Sequence, residues 1–141
     1  MKYSFDFAAP LEYWPDLLEG AWTTLTLSLS ATFFGFLVGV FCALASTGRT
    51  KWLARVASAY IEIIRNTPLL VQVFLVYFGM ASMGFKVGAF TAATVALVVN
   101  VGAYTSEIVR AGIESIPKSQ LEAAETLGLS RWQTLRHVVL P

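Results

Sequence analysis

Three long runs without a carboxylate, ammonium or guanidinium side chain dominate this sequence. Gly20 to Gly48 is 29 residues with no Asp, Glu, Lys or Arg, and Asn66 to Phe85 and Val87 to Ser106 add 20 each. A helix needs about 20 mostly apolar residues to cross the hydrocarbon core of a bilayer. Composition points the same way. The chain is 56% hydrophobic and 13% charged, where soluble domains run at about 45–50% and about 25%. The sequence therefore predicts an all-α integral membrane protein with three transmembrane helices.

Several functions fall away on the same evidence. The net charge is +1, so no basic field exists to hold nucleic acid. One cysteine, Cys42, and one histidine, His137, allow neither a disulfide framework nor a two-histidine metal motif. No metal site is expected. No glycine-rich phosphate loop is present, so the chain is not read as an ATPase. Lys2 is followed by Asp6, Glu12, Asp16 and Glu19, whereas a signal peptide opens with positive charge.

The first span is placed at residues 20–46, behind Trp14 and Trp22 at headgroup level. Thr23, Thr24, Thr26, Ser28, Ser30 and Thr32 make its first half mildly polar. Such hydroxyls bond back to their own helix or across to a neighbour. Ala31, Gly35, Gly39 and Ala43 recur every four residues and form a ridge that lets another helix approach closely. Arg49, Lys51 and Arg55 then make the most basic short loop in the chain. The excess of positive loops on the cytoplasmic side puts this loop in the cytoplasm and residues 1–19 outside. The second span is placed at 52–78 as one helix bent near Pro68, where the ring removes a backbone donor. Gly79, Gly84 and Gly88 mark an outer loop. The third span is placed at 89–115 and returns inward, ended by Pro117. Residues 116–141 are too polar to span and are assigned to the cytoplasm.

Ionisable residues at membrane depth are costly and mark function by default. The second span carries Glu62, Arg65, Asn66 and Gln72, and the third carries Asn100, Tyr104, Glu107, Arg110 and Glu114. Glu62, Arg65 and Asn66 share a helix face. Asn100, Tyr104, Glu107 and Glu114 form a second stripe. The two stripes are expected to face each other, with Arg65 and Glu107 as the cross-helix pair. Such a pair more often pins helix register than touches a transported molecule. For Asn66, Gln72 and Asn100, lining a path and bonding between helices remain equal readings. Pro68 would leave unwound backbone for a ligand, by analogy with the broken helices of other transporters.

The last stretch reads as a capped hairpin. Ser119-Gln-Leu-Glu122 has the form of a capping box that opens a helix to about Leu127, and Gly128 suits the left-handed position beyond its end. Ser130-Arg-Trp-Gln133 repeats the box and opens a helix toward Val139.

At these residues the chain resembles a known family. Glu122-Ala123-Ala124, Gly128 and Leu140-Pro141 resemble the EAA motif of ABC importer permeases. Arg65-Asn66-Thr67-Pro68-Leu69-Leu70-Val71-Gln72 is similar to the Arg-x-Thr-Pro-Leu-Leu signature of the polar amino acid branch. Gly102-Ala103-Tyr104, Glu107-Ile108-Val109-Arg110 and Gly112-Ile113 fit that branch too. The resemblance covers essentially the whole chain in consistent order and departs at Ser119, where glycine is usual.

It implies a permease subunit in the bacterial inner membrane that catalyses no covalent step. Glu122, Ala123, Ala124, Leu127 and Gly128 would dock on a cytoplasmic ATPase dimer. That dimer, not this chain, would use ATP and magnesium. A second permease subunit and an external substrate-binding protein would complete the importer. Arg65, Asn66, Thr67, Pro68, Gln72, Asn100, Tyr104 and Glu107 would line the translocation path or bond between helices. The family's permeases continue past this Leu-Pro through further membrane helices, so the chain is expected to be the N-terminal part of one. The rival readings are a transport-inactive fragment, a small structural membrane protein and an intramembrane enzyme. The last lacks paired acids, a metal cluster or an activated nucleophile.

Overall fold

The computed structural model describes residues 13–48 and 50–139. Among the described residues every regular element is helical: α1 (Trp14–Thr47), α2 (Lys51–Arg65), α3 (Leu69–Ser82), α4 (Ala89–Glu114), α5 (Lys118–Thr126), α6 (Arg131–Thr134) and a π-helical turn (Leu135–Val139).

The first helix starts six residues before the expected Gly20. Pro15 lies in its first turn with Asp16. Proline there lacks only a donor that the helix end leaves free anyway, and an acid favours the positive end of the helix dipole. Three of the six early hydroxyls, those of Thr24, Thr26 and Ser30, bond back to their own helix. Thr24 Oγ1 donates to the Gly20 carbonyl at 2.9 Å, and Ser30 Oγ to that of Thr26 at 2.6 Å.

The core is the seam between α1 and α4. Ala31, Gly35, Gly39 and Ala43 are all buried on α1, opposite the buried Ala92, Ala96, Gly102, Ala103 and Ser106 of α4. The backbones approach too closely for side chains at two points. A Cβ on Gly35 would stand 2.7 Å from Val101 Cγ1, and one on Gly39 would stand 2.5 Å from Thr105 Cβ. Without a hydrophobic force between helices in lipid, such close packing is what holds them. Ser106 Oγ lies within donating distance of the Gly39 carbonyl, 3.0 Å, and the Gly102 carbonyl, 2.8 Å. Gly35 meets Val98 and Val101, and Gly39 meets Gly102 and Thr105, so α1 and α4 run parallel. The chain between them must cross back.

That crossing is not the single bent helix expected over 52–78. It is two helices meeting at 106°. Helix α2 packs Ala57 and Ile61 inward, and Tyr60 Oη donates to the Val99 carbonyl at 2.6 Å. At Gly102 the three helices converge, because a Cβ there would meet Tyr60 Oη at 2.8 Å and Val38 Cγ1 at 2.9 Å. Residues Asn66, Thr67 and Pro68 make the corner. Proline blocks continuation of α2, since the residue before it avoids helical geometry. Helix α3 then runs through Gly79, where a loop was expected to begin. It ends at Gly84, whose φ of +89° lets Phe85 N–H return to the Met80 carbonyl at 3.0 Å and Gly84 N–H to that of Ala81 at 3.0 Å. Helices α1 and α4 are each long and apolar enough to cross a membrane, and the α2–α3 pair is so only if it counts as one span.

Candidate functional site

The broken crossing leaves a corner whose carbonyls cannot complete a helix ladder. Gln72, in the first turn of α3, fills that gap. Its Nε2 donates to the carbonyls of Ile64 and Thr67, both at 2.9 Å. Its Oε1 accepts from Asn100 Nδ2 of α4 at 3.2 Å. Gln72 is buried, where an unpaired carbonyl would cost about 1–3 kcal/mol. Thr67 Oγ1 adds a bond to the Ile63 carbonyl at 2.7 Å. Of the two readings open for Gln72 and Asn100, the geometry is that of bonding between helices. Asn100 therefore leaves the stripe in which the spacing had placed it.

The other polar residues line a cleft of about 590 Å³ between α2 and the second half of α4. Ser58, Glu62, Arg65 and Asn66 come from α2 and its end, Tyr104, Glu107, Arg110 and Glu114 from α4, and Ser46 from α1. Arg65 and Glu107 do meet, but at 3.6 Å. Glu107 is held more tightly by Arg110, whose Nη2 donates to Oε1 at 2.5 Å and Nε to Oε2 at 3.3 Å. Arg110 Nη1 also reaches both Glu114 oxygens at 2.7 Å. The sequence reading missed Arg110 as the organising cation. Its signal was the spacing of three and four residues from the two glutamates, which puts all three on one helical face. Arg65 rests instead over the Tyr104 ring, 5.6 Å from its centre, a favourable place for a cation. Thr67 and Pro68 belong to the corner and do not line this cleft.

The predicted docking residues sit apart from the cleft, on the hairpin after Pro117. Gly128 closes α5 with φ +70°. Leu129 N–H returns to the Ala124 carbonyl at 3.0 Å and Gly128 N–H to that of Glu125 at 2.9 Å, the paired closure that a left-handed glycine permits. The capping box expected at Ser119 does not form. Pro117 occupies the cap with extended backbone, and α5 begins at Lys118 with no side-chain cap, so Ser119 is already inside the helix. The second box does form. Ser130 N–H donates to Gln133 Oε1 at 2.8 Å and Gln133 N–H to Ser130 Oγ at 3.4 Å. The helix it opens lasts four residues before widening into the π turn. Glu122, Ala123, Leu127 and Gly128 are exposed, while Ala124 is buried. Leu127 is 76% exposed. Leu127 and Ala123 share with His137 and Val138 a hollow of about 310 Å³. Leu140 and Pro141 lie outside the described residues.

Comparison with known proteins agrees with this arrangement. A probable amino-acid ABC transporter permease of Bacillus subtilis strain 168, YckA, is 39% identical over 99% of this chain and 62% of its own length. The glutamine transport system permease GlnP of Escherichia coli K12 is 43% identical over 97% of this chain and 64% of its own. A chain in the crystal structure of an amino acid ABC transporter with histidines superposes with a TM-score of 0.90 and 42% identity, over 99% of this chain and 65% of that one. The MetNI methionine ABC transporter in an inward-facing conformation gives 0.70 and 28%, over 92% and 63%. The chain thus spans less than two thirds of the length of the relatives it matches. The sequence profile of one family covers residues 35–141, which include most of the α1–α4 seam, the corner, the cleft and the hairpin. The chain belongs to the binding-protein-dependent transport system inner membrane components.

Proposed function

We propose that this chain forms part of the membrane pathway of an ATP-driven importer for a polar amino acid. Helix α1 crosses inward, the α2–α3 pair crosses back as one broken span, and α4 returns to the cytoplasm. Residues 1–19 then lie outside and the hairpin inside. The hairpin docks on a cytoplasmic ATPase dimer through Leu127, Ala123, Ala124 and Glu122, with Gly128 setting its angle. ATP and magnesium belong to that partner. A second permease subunit and an external substrate-binding protein complete the machine. The cleft walled by Arg65, Asn66, Tyr104 and Glu107 belongs to the translocation path, and Gln72, Asn100, Thr67 and Pro68 hold the corner above it.

One observation carries this reading: the whole path from α1 through the hairpin superposes on a chain of an amino acid ABC transporter at a TM-score of 0.90. The mechanical logic follows from the fold. Only Ser115, Ile116 and Pro117 separate α4 from α5, so a push on the hairpin is delivered to the helix that carries Glu107 and Arg110. The test is co-purification of the tagged chain with the co-expressed ATPase of its own transport system. The ATPase should be retained by the wild type and lost with Leu127→Asp and Gly128→Val. An ATPase absent from the wild type, or held equally by both variants, would defeat the reading.

A further inference from the structure

The cleft has two unlike ends. At one end Glu107, Arg110 and Glu114 satisfy one another through bonds of 2.5–3.3 Å. At the other end the charges are less fully satisfied. Among the described residues Arg65 donates no hydrogen bond, and its one ion contact is the 3.6 Å approach to a Glu107 already held by Arg110. Glu62 lines the same wall, and among the described residues its carboxylate has neither an ion pair nor a hydrogen bond. A loosely paired cation and, among the described residues, a carboxylate with no partner thus stand one helical turn apart, with Asn66 lining the same cleft and the Tyr104 ring beneath the guanidinium.

We propose that this end of the cleft docks the charged head of a free α-amino acid, with Arg65 taking the carboxylate and Glu62 the ammonium. The inference rests on the transport reading above and narrows it to how the cargo is held. Side chains three apart on a helix stand about 5–6 Å apart at their bases, within reach of two charges carried on one carbon. Arginine presents parallel donors that match a carboxylate, and the ring face holds the guanidinium plane without consuming those donors. A lone anion would meet Glu62 and a lone cation would meet Arg65, so each is opposed by the neighbouring charge. A head bearing both is opposed by neither. The cargo's side chain then points away from α2 and is not read by these two residues.

The experiment uses the full chain with its ATPase in lipid nanodiscs. Equilibrium binding of the labelled standard L-amino acids is measured, with the N-acetyl and decarboxylated forms of each ligand as competitors. At least one amino acid should bind, and both altered forms should compete at least about tenfold more weakly, the loss expected when one charged hydrogen-bonded contact goes. Arg65→Gln should weaken the amino acid by about tenfold or more while leaving the decarboxylated form unchanged. Glu62→Gln should do the converse with the N-acetyl form. Arg65→Lys and Glu62→Asp should restore part of the affinity and serve where the neutral variants fail to fold. Altered forms that match the parent within twofold, or variants that bind as the wild type does, would overturn the proposal. Absence of amino acid binding by a chain that still holds its ATPase would overturn it too, and would leave the transport reading standing. Loss of the ATPase from the wild type would instead strike the transport reading itself.

Discussion

At the residue scale, what matters most is how little space some positions leave. Gly39 faces Thr105 so closely that even a methyl group forces the helices apart. Gly39→Ala is expected to lower stability by about 1–3 kcal/mol, read as a drop in melting temperature of the detergent-solubilised chain. Gly112, in the same helix as Thr105, has nothing within 4 Å of the place a methyl group would take. There the sign should reverse, with Gly112→Ala gaining about 0.5–1 kcal/mol from reduced backbone freedom. Equal losses at both sites would show that glycine serves flexibility and not close approach. Gln72→Leu should cost about 1–3 kcal/mol, because it strands the part-buried Thr67 carbonyl and leaves the Ile64 carbonyl with only the Thr67 N–H. Asn100→Leu, which removes one bond, should cost about 0.5–1.5 kcal/mol. The glycine ridge was legible in the sequence, because a four-residue repeat of small side chains has one meaning on a helix. The role of Gln72 was not, because the carbonyls of Ile64 and Thr67 come within its reach only when the corner exists.

At the element scale, the corner and the hairpin are the parts with mechanical consequence. Pro68 announced a break, but its 106° angle depends on Tyr60 and Gln72 finding partners on α4. The hairpin is governed more locally. Gly128 sits at φ +70°, which costs a branched side chain about 1–2 kcal/mol. Gly128→Val should therefore re-aim the hairpin without lowering the melting temperature set by the α1–α4 seam. Ser130→Ala removes the one side-chain cap that forms among the described residues. It should cost about 1 kcal/mol, seen as faster amide exchange over residues 131–134 with no change in α1 or α4. The two boxes had looked alike in sequence. Only the second forms, because Pro117 had already started α5 before Ser119 could cap it.

At the scale of the whole molecule, two parallel helices joined by a return crossing make the arrangement. Because α1 and α4 run the same way, their starts share a side, and the α2–α3 pair must carry the chain back. On the Cys42→Ala background, Lys86→Cys should react with an impermeant thiol reagent from outside whole cells. Lys118→Cys should react only after the membrane is opened. Reaction of both from one side would refute the three-span path. The sequence by itself determined that the chain is apolar, helical and closely packed, and it identified the family-like motifs in order. These are properties of spacing and composition, and they survive whatever the helices do next. The sequence also paired Arg65 with Glu107 across the helices, but only the tertiary structure decided that Asn100 leaves that stripe for Gln72, that Arg110 holds Glu107 more tightly than Arg65 does, and that Glu62 has no partner among the described residues. Those outcomes depend on which carbonyls a 106° corner exposes and which helix lies opposite, and no stretch of one chain read alone contains the other side of a contact.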